Sequence, residues 1–308
     1  MRSTSACLAL LLAFATTGCG QHGFPPPERI NLSAPATVPM EFIAGRLVVS
    51  AKINGRGPYK FILDSGAQVS LLAAPFGQEL GLPVSGEMPV GSPGSTTPRS
   101  GRILQVDRLE IGTLAAEKFS LLEMDLTSLQ QRVPGLKGVI SAHLFTGILI
   151  TYDYPAAVMR YRRGELPAAD GQTVFAWPAG HRLPGVLMHF GKDEVWVDVD
   201  TGSQGGLTLA QSTVGGFEWS EPPVRDEPIR LVDRELAASK GRYKGAVTFG
   251  SFRLEHPMIK IHEGSFNNVG YQVLKDFVLT IDSANRRIEL RKPCPLGQDQ
   301  TKGPCLDS

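Results

Sequence analysis

The sequence predicts a protein built mostly of β-strands and arranged as two similar lobes. Its 308 residues include 34 Gly and 23 Pro, which mark the frequent turns that an all-β chain needs. Short apolar runs, some of them alternating with polar residues, lie between these turns, as is typical of β-strands. The second half also repeats the landmarks of the first half in the same order, and such a repeat indicates two copies of one structural unit.

The repeat is clearest around two aspartates that each follow an apolar run. Asp64 lies in FILDSGAQVSLL and Asp200 lies in EVWVDVDTGSQGGLTL. Each segment follows another extended run and a turn, so each is predicted to be a β-hairpin that ends at its aspartate. A carboxylate in such an apolar setting must be paired, hydrogen-bonded or kept neutral by a raised pKa. For either copy taken alone, an aspartate that caps its own turn is the alternative.

The repeat continues to the end of each half. Residues 139–161 align without a gap with residues 268–290. This alignment places Ser141 opposite Gly270 and Asp153 opposite Asp282. The two late aspartates precede turns, so we expect them to cap local structure rather than to take part in chemistry.

Together, the two triplets and their flanks resemble the aspartic peptidases. The first half has Asp-Ser-Gly-Ala from Asp64, and the second has Asp-Thr-Gly-Ser from Asp200. The nearer resemblance is to the retropepsin-like family, with two copies fused in one chain as in pepsin-type enzymes and in bacterial two-copy members. It covers about residues 40–292. It implies an all-β, bilobal acid-protease fold, with closed lobes at 40–165 and 166–292 and few short helices.

This resemblance assigns roles to the residues of both triplets. The two carboxylates would share one proton, because like charges held close together cannot both ionise and their pKa values separate. The ionised carboxylate could then activate a water while the protonated one gives its proton to the peptide carbonyl. The glycines would let the two loops approach, and the hydroxyls would hydrogen-bond across to the opposite loop. The catalytic pair is then Asp64 and Asp200, and the supporting residues are Ser65, Gly66, Thr201 and Gly202.

A lid over the substrate cleft is predicted in residues 86–103. By resemblance to the family, a hairpin of the first half folds over the bound peptide, and the candidate tip contains Gly91, Ser92 and Gly94. It has no Tyr, which pepsin-type enzymes carry there, and this favours the retropepsin-like side. The alternative is a plain loop. The corresponding charged segment of the second half, residues 230–245, fits either a lid or a solvated edge hairpin.

The N-terminus indicates export. Residues 1–19 have Arg2, an apolar stretch and small residues that end in Gly18-Cys19, as in a secretory signal. This ending resembles the lipobox of bacterial lipoproteins, in which Cys19 would be lipidated; an ordinary cleaved signal is the alternative. Gly20 after the cysteine favours, by resemblance to Gram-negative lipoproteins, the outer membrane over the inner one. The Pro-rich residues 20–39 are predicted to be a tether.

The tail, residues 293–308, contains Cys294 and Cys305. Ten residues with Pro, Gly and polar side chains separate them, so a disulfide is expected in an exported chain. The six His are scattered, so no metal site and no cofactor are predicted. A net charge of +1 gives no reason to expect nucleic acid as a partner. Because two halves are fused, we expect a monomer.

The sequence therefore predicts an exported, lipid-anchored aspartic endopeptidase on the periplasmic side that takes peptide or protein substrates. The alternative is a protease-like lipoprotein that binds peptides or cell-wall fragments without cutting them. Ser141 in place of the family Gly and the lid without Tyr favour this alternative, whereas the two intact triplets favour the enzyme. Asp198 lies on the same strand face as Asp200, two residues earlier.

Overall fold

The computed structural model describes residues 24–293. Over this range the protein is an all-β, bilobal molecule in which three sheets contain most of the residues. The predicted fold class is therefore confirmed. Cys19, Cys294 and Cys305 lie outside the described residues, so the expected lipidation and disulfide stay predictions.

The first lobe is a nine-stranded sheet. Its order is β1-β9-β6-β10-β5-β4-β8-β7, and β3 pairs with β4. The strands are β1 (Arg29–Leu32), β3 (Glu41–Ile43), β4 (Arg46–Ile53), β5 (Arg56–Asp64), β6 (Leu71–Ala73), β7 (Val84–Val90), β8 (Arg99–Ile111), β9 (Leu114–Met124) and β10 (Leu136–Ser141). Because β8 also pairs with β9, the long hairpin that carries the predicted lid is an extension of this sheet.

The second lobe is also a nine-stranded sheet. Its order is β17-β18-β21-β16-β22-β15-β14-β19-β20. The strands are β14 (Gly185–Phe190), β15 (Asp193–Val199), β16 (Leu207–Ala210), β17 (Trp219–Arg230), β18 (Glu235–Tyr243), β19 (Ala246–Phe249), β20 (Phe252–Glu255), β21 (Met258–His262) and β22 (Asn268–Val269). The long hairpin β17–β18 occupies the edge of this sheet.

A six-stranded sheet joins the lobes and uses strands from both halves. Its order is β13-β24-β23-β11-β12-β2. The strands are β2 (Ala36–Pro39), β11 (Ile148–Asp153), β12 (Val158–Arg163), β13 (Val174–Ala176), β23 (Val278–Asp282) and β24 (Arg287–Arg291). The repeated strands β11 and β23 pair antiparallel at its centre, where the hydroxyls of Thr151 and Thr280 are hydrogen-bonded at 2.9 Å.

The helices of the described range are short. They are α1 (Phe76–Leu80), α2 (Thr127–Gln130), a 3₁₀ turn (Ala142–Phe145) and α3 (Tyr271–Leu274). None of them is both long and apolar enough to cross a membrane. The 3₁₀ turn follows β10 and α3 follows β22, so each lobe has a short helical turn at the equivalent place of the repeat.

The segment predicted to be a Pro-rich tether is partly structured. Residues of β1 pair antiparallel with β9 of the first lobe, and residues of β2 pair with β12 of the joining sheet. The structure therefore differs from the expectation for residues 20–39 wherever these two strands lie. Composition was a poor guide here because both strands lie at sheet edges, where a proline such as Pro39 is tolerated.

Most apolar side chains of the described residues belong to one core that continues from one lobe into the other. It includes Leu63 and Phe145 of the first half and Val197 and Leu279 of the second. Both strands that lead to the aspartates contribute to this core on one face. Burial of one face fixes the register of these strands, and therefore the position of the aspartate at the end of each.

Candidate active site

The same arrangement of strands positions Asp64 and Asp200 in the two lobes. In the first lobe, the end of β5 pairs in parallel with β10, which also pairs with β6. In the second lobe, β15 ends just before Asp200 and pairs in parallel with β22, which also pairs with β16. Each aspartate loop therefore connects two strands that flank a third. This frame holds the start and the end of the loop in place.

The structure brings the two predicted catalytic aspartates together at the interface of the lobes. Both side chains are fully buried, at 0% exposure. Each carboxylate lies against the glycine of the opposite loop. A Cβ added to Gly66 would lie 2.8 Å from the carboxyl carbon of Asp200, and one added to Gly202 would collide with the carboxyl of Asp64. Since any side chain at these positions would separate the loops, glycine is required at both.

Four hydrogen bonds from the predicted supporting residues tie the loops together across the lobes. The Ser65 amide donates to Oγ1 of Thr201 at 2.9 Å, and the Thr201 amide donates to Oγ of Ser65 at 3.0 Å. The Ser65 hydroxyl donates to the carbonyl of Val199 at 2.6 Å, and the Thr201 hydroxyl donates to the carbonyl of Leu63 at 2.9 Å. All four are buried, so the relative position of the two carboxylates is fixed.

Burial favours the protonated form of Asp64. The loss of water raises the pKa of this carboxyl well above its usual range, and the negative charge of Asp200 raises it further. The hydrogen bond from the Gly66 amide to Oδ1, at 2.7 Å, opposes these effects. Oδ2 accepts no hydrogen bond from a protein N–H or O–H group of the described residues. Oδ2 is therefore the oxygen of Asp64 that is available to carry a proton shared with Asp200.

Asp200 has a more polar environment. Burial raises its pKa to about 6, whereas the hydrogen bonds from Asn268 and Gly202 lower it. Nδ2 of Asn268 donates to Oδ2 at 2.8 Å, and the amide of Gly202 donates to Oδ1 at 2.9 Å. The two carboxylates titrate as a pair. The protein environment nevertheless favours the state in which Asp200 is ionised and Asp64 is neutral.

Asn268 is the contact of the pair that sequence reasoning missed. It is fully buried on β22 and corresponds to Val139 in the repeat. The signal was present in the internal alignment, where an amide stands opposite an apolar residue beside the motif. Only the parallel pairing of β15 with β22 brings it to the carboxylate.

Ser141 fits its position without disturbing the loop. Its hydroxyl donates to the carbonyl of Ala67 at 2.6 Å and accepts from the amide of His143 at 3.1 Å, so it caps the 3₁₀ turn. At the equivalent Gly270, an added Cβ would lie only 2.7 Å from the carbonyl oxygen of Ser203. The second half therefore requires glycine, whereas the first half accommodates a serine that strengthens the same turn.

The predicted lid tip contacts the second lobe. The amide and the hydroxyl of Ser92 donate to the carboxylate of Asp233 at 3.2 and 2.6 Å. Gly91 lies beside the same carboxylate, and Arg234 donates to the carbonyl of Gly94 at 3.0 Å. Partial burial would raise the pKa of Asp233, but these hydrogen bonds hold it below its usual value. We call this contact between the two hairpin tips the clasp.

The clasp also involves the charged segment of the second half, residues 230–245. The tip of the β17–β18 hairpin, where Asp233 and Arg234 lie, reaches the tip of the β7–β8 hairpin. Most of β17 is exposed at the edge of its sheet, so this segment is a solvated edge hairpin whose tip contacts the predicted lid.

Two further observations concern possible ligands. Within residues 24–293, no group of three or more His, Cys, Asp or Glu side chains lies close enough together to hold a metal ion. His262 at the end of β21 is buried, which lowers its pKa to about 4. Its ring contacts the carbonyl of Phe266 and the amide of Gly264, so it serves the local turn.

Comparison with known proteins supports an aspartic-protease family. Residues 49–147 match the family model described as aspartyl protease. The matched segment is about a third of the chain and includes Asp64 but not Asp200. No curated protein matches the chain. The match supports a protease-like function of the aspartic type, and it is consistent with the arrangement of strands around Asp64.

Proposed function

We propose that the protein is an exported aspartic endopeptidase in which two fused copies of one unit each supply one carboxylate to a single active site. The observation that carries this proposal is the mutual contact between each carboxylate and the glycine of the opposite loop. Neither lobe has a complete site alone. The four hydrogen bonds between the loops give the pair the fixed geometry that acid–base catalysis needs.

The unequal environments suggest how the pair divides the reaction. Ionised Asp200 removes a proton from a water molecule, whose oxygen forms a bond to the carbonyl carbon of the peptide. Asp64 gives its proton to the carbonyl oxygen. In the second step Asp200 passes the proton taken from the water to the peptide nitrogen, the C–N bond breaks, and one hydroxyl of the tetrahedral diol gives its proton to Asp64, which yields a carboxylic acid and an amine. Asp200 is then ionised and Asp64 protonated again, so the pair is ready for the next water.

The two hairpins indicate a substrate in extended conformation. The clasp joins their tips, and Pro93 of the first tip lines the same cavity as Asp198 of β15, so a bound chain would pass between the clasp and this strand. An extended peptide in such a channel can form main-chain hydrogen bonds with the hairpin strands. Opening of the clasp is then a necessary step of substrate entry.

The second candidate is a protein that binds peptides without cutting them. Its support from Ser141 is weak, because this serine stabilises the 3₁₀ turn and leaves the carboxylates in place. The clasp is compatible with both functions. Cleavage itself is therefore the property to test.

The test compares Asp64→Asn and Asp200→Asn with the wild type on a mixed peptide library over a range of pH. An amide is nearly isosteric with a carboxylate and can still accept the hydrogen bond of the neighbouring glycine, so both variants should fold. Each should lose at least about a thousandfold in kcat/KM, because general acid–base catalysis contributes roughly 10²–10⁴-fold and the pair acts as one unit.

Asp107→Asn provides the matched control, since Asp107 is an exposed carboxylate on β8 and should be dispensable. Retention of most of the activity by either Asn variant would refute the shared pair. A wild type that binds peptides but cuts none at any pH would establish the second candidate.

The proposal includes the cellular location. The Gly18-Cys19 ending supports attachment of a lipidated Cys19 to the periplasmic face of the outer membrane. The first described strand begins at Arg29, so a short connecting segment would keep the folded protein close to the membrane surface. We further propose that the protein acts there as a monomer, because its two halves already form both sides of the site.

A further inference from the structure

A cavity of about 360 Å³ lies between the second lobe, the first aspartate loop and the lid, and Asp198, two residues before Asp200, lines it. Its walls come from the first aspartate loop, the lid tip, the loop before β14 and the strand β15 itself. The lining residues used below are Gln68, Pro93, His181, Arg182, Trp196 and Asp198. Because both lobes contribute to its walls, the cavity belongs to the cleft rather than to the outer surface of one lobe.

Asp198 is the acidic group of this cavity. It lies on β15, two residues before Asp200, which directly follows the end of this strand. Oδ1 of Asp198 accepts one hydrogen bond, from Nε1 of Trp196 at 3.0 Å. No Lys, Arg or His side chain of the described residues lies within 4.0 Å of this carboxylate to form a salt bridge with it, although His181 and Arg182 line the same cavity.

In its environment, the carboxylate of Asp198 does not stabilise the fold. Burial raises its pKa to about 7, the hydrogen bond from Trp196 lowers it, and the charge of Asp200 raises it. A carboxylate that loses water without gaining a counter-ion destabilises the fold. The equivalent residue of the first half is the apolar, buried Ile62, so this position of the repeat does not need a charge for packing.

The surrounding residues hold Asp198 in place while leaving the cavity open. The ring of His181 lies 4.4 Å from that of Trp196. On Gly185, which is opposite Asp198 on β14, an added Cβ would lie 2.8 Å from the indole. The indole of Trp196 is thus confined, and its hydrogen bond also restricts Oδ1 of Asp198. Arg182 is exposed at the rim, where its guanidinium lies 3.5 Å from the amide oxygen of Gln68.

We propose that this cavity is a substrate subsite for a basic side chain, lysine or arginine, and that Asp198 is its counter-ion. The inference rests on the proposed function, since it places an extended peptide in the cleft. Two residues along a strand span about 6.6–6.8 Å, so the basic residue would lie close to the peptide bond that the water activated by Asp200 attacks. A bound cation would supply the charge partner that Asp198 lacks within the described protein.

The experiment uses pairs of fluorogenic peptides that differ at one position, with lysine in one and Nε-acetyl-lysine in the other. Acetylation removes the charge and retains the length of the side chain. Scanning the position along the peptide should identify one place next to the cleaved bond where lysine is preferred at least about tenfold in kcat/KM, as expected for a hydrogen bond between charged groups. The preference should diminish as Asp198 becomes protonated below about pH 7.

Asp198→Asn should reduce this ratio to about one, and Glu194→Gln should preserve it, because Glu194 is an exposed carboxylate of the same strand. The ratio compares two peptides on one protein, so any general effect of the substitution on catalysis cancels. Persistence of the lysine preference in Asp198→Asn, or its absence at every position of the wild type, would overturn the subsite.

Equilibrium binding of the same peptides, measured by fluorescence anisotropy, separates this inference from the proposed function. Peptides that are cut without a lysine preference would leave the endopeptidase in place and remove the subsite. Peptides that are bound with an Asp198-dependent lysine preference but not cut would support the subsite and refute the endopeptidase. Peptides that are neither cut nor bound would refute both.

Discussion

Asn268→Val is the substitution that best tests how the protein divides roles between its carboxylates. It gives the second half the residue that the first half has at Val139. Asn268 donates its amide to Oδ2 of Asp200 at 2.8 Å in a fully buried setting. Valine has a similar size but cannot donate, so ionised Asp200 loses one hydrogen bond and retains that of Gly202.

The size of the effect follows from the energy of that bond. A hydrogen bond to a charged group contributes about 1.5–3 kcal/mol, and about 1.4 kcal/mol corresponds to one pH unit in an ionisation equilibrium. Because the bond stabilises the ionised form, its removal raises the pKa of Asp200 above the value of about 6. The acid limb of the pH profile of kcat/KM should therefore move to higher pH by about one to two units.

The assay measures kcat and KM of both proteins with one peptide between about pH 4 and 9, the range in which the carboxylates of this site should titrate. At pH values below the wild-type limb, the variant should be at least about tenfold slower, whereas the two proteins should converge above the shifted limb. A direct role of Asn268 in substrate binding would instead raise KM at every pH.

Asn285→Ala is the matched control, because Nδ2 of Asn285 donates to Oδ2 of Asp282 at 2.9 Å far from the pair. It should leave the profile unchanged. A thermal melt checks that each variant is folded. If folded Asn268→Val retains the wild-type acid limb and differs only in the height of the profile, the assignment of Asp200 as the ionised partner is wrong.

Three other outcomes are expected. Asp233→Ala removes both hydrogen bonds to Ser92, so the Ser92 amide should exchange with solvent about tenfold faster; unchanged exchange would show that the clasp does not hold the lid. Raised pKa values of Asp64 and Asp200 mean that the folded state binds more protons than the unfolded chain, so the free energy of unfolding should fall as pH rises from about 4 through about 6 and above. Urea titrations of the double Asn variant should have a weaker pH dependence, and an equal dependence contradicts this account. Cys19→Ala should release the protein from membranes, and unaltered fractionation would exclude lipidation.

The meeting of Asp64 and Asp200 could be predicted because the sequence carries the same motif twice. One Asp-Ser-Gly triplet at Asp64 has little meaning alone, but a second triplet at Asp200 with matched flanks indicates a face-to-face arrangement. The strands that lead to both aspartates were also visible, since their apolar residues alternate or run continuously into the triplet. Local pattern and long-range repeat agree at these positions.

What the sequence could not provide are contacts between distant segments. Asn268 is 68 residues from Asp200, and in the sequence it is only a polar residue before Val-Gly. The clasp between Ser92 and Asp233 joins loops that are 141 residues apart. The Pro-rich composition gave no sign of the strand β2, because β2 is held by its pairing with β12 of the joining sheet, which lies much later in the chain. In each case the pairing partner, and not the local residues, determines the outcome.

The differences between the halves explain more of the chemistry than their similarities do. Two equal lobes would give both carboxylates the same environment, and the shared proton would have no preferred side. In the first lobe the neighbours from β5 and β10 are the apolar Ile62 and Val139, which disfavour a charge on Asp64. In the second lobe the paired positions of β15 and β22 hold Asp198 and Asn268.

Asn268 stabilises the ionised partner, Asp200, directly. Asp198 has the higher pKa of the two, about 7, because the charge of ionised Asp200 adds to the effect of burial. A basic side chain bound at Asp198 would lower the pKa of both neighbouring carboxylates, since a nearby cation favours their charged forms. Occupation of the proposed subsite would then also favour ionised Asp200, which activates the water, so substrate selection and the state of the aspartate pair would be coupled through one strand.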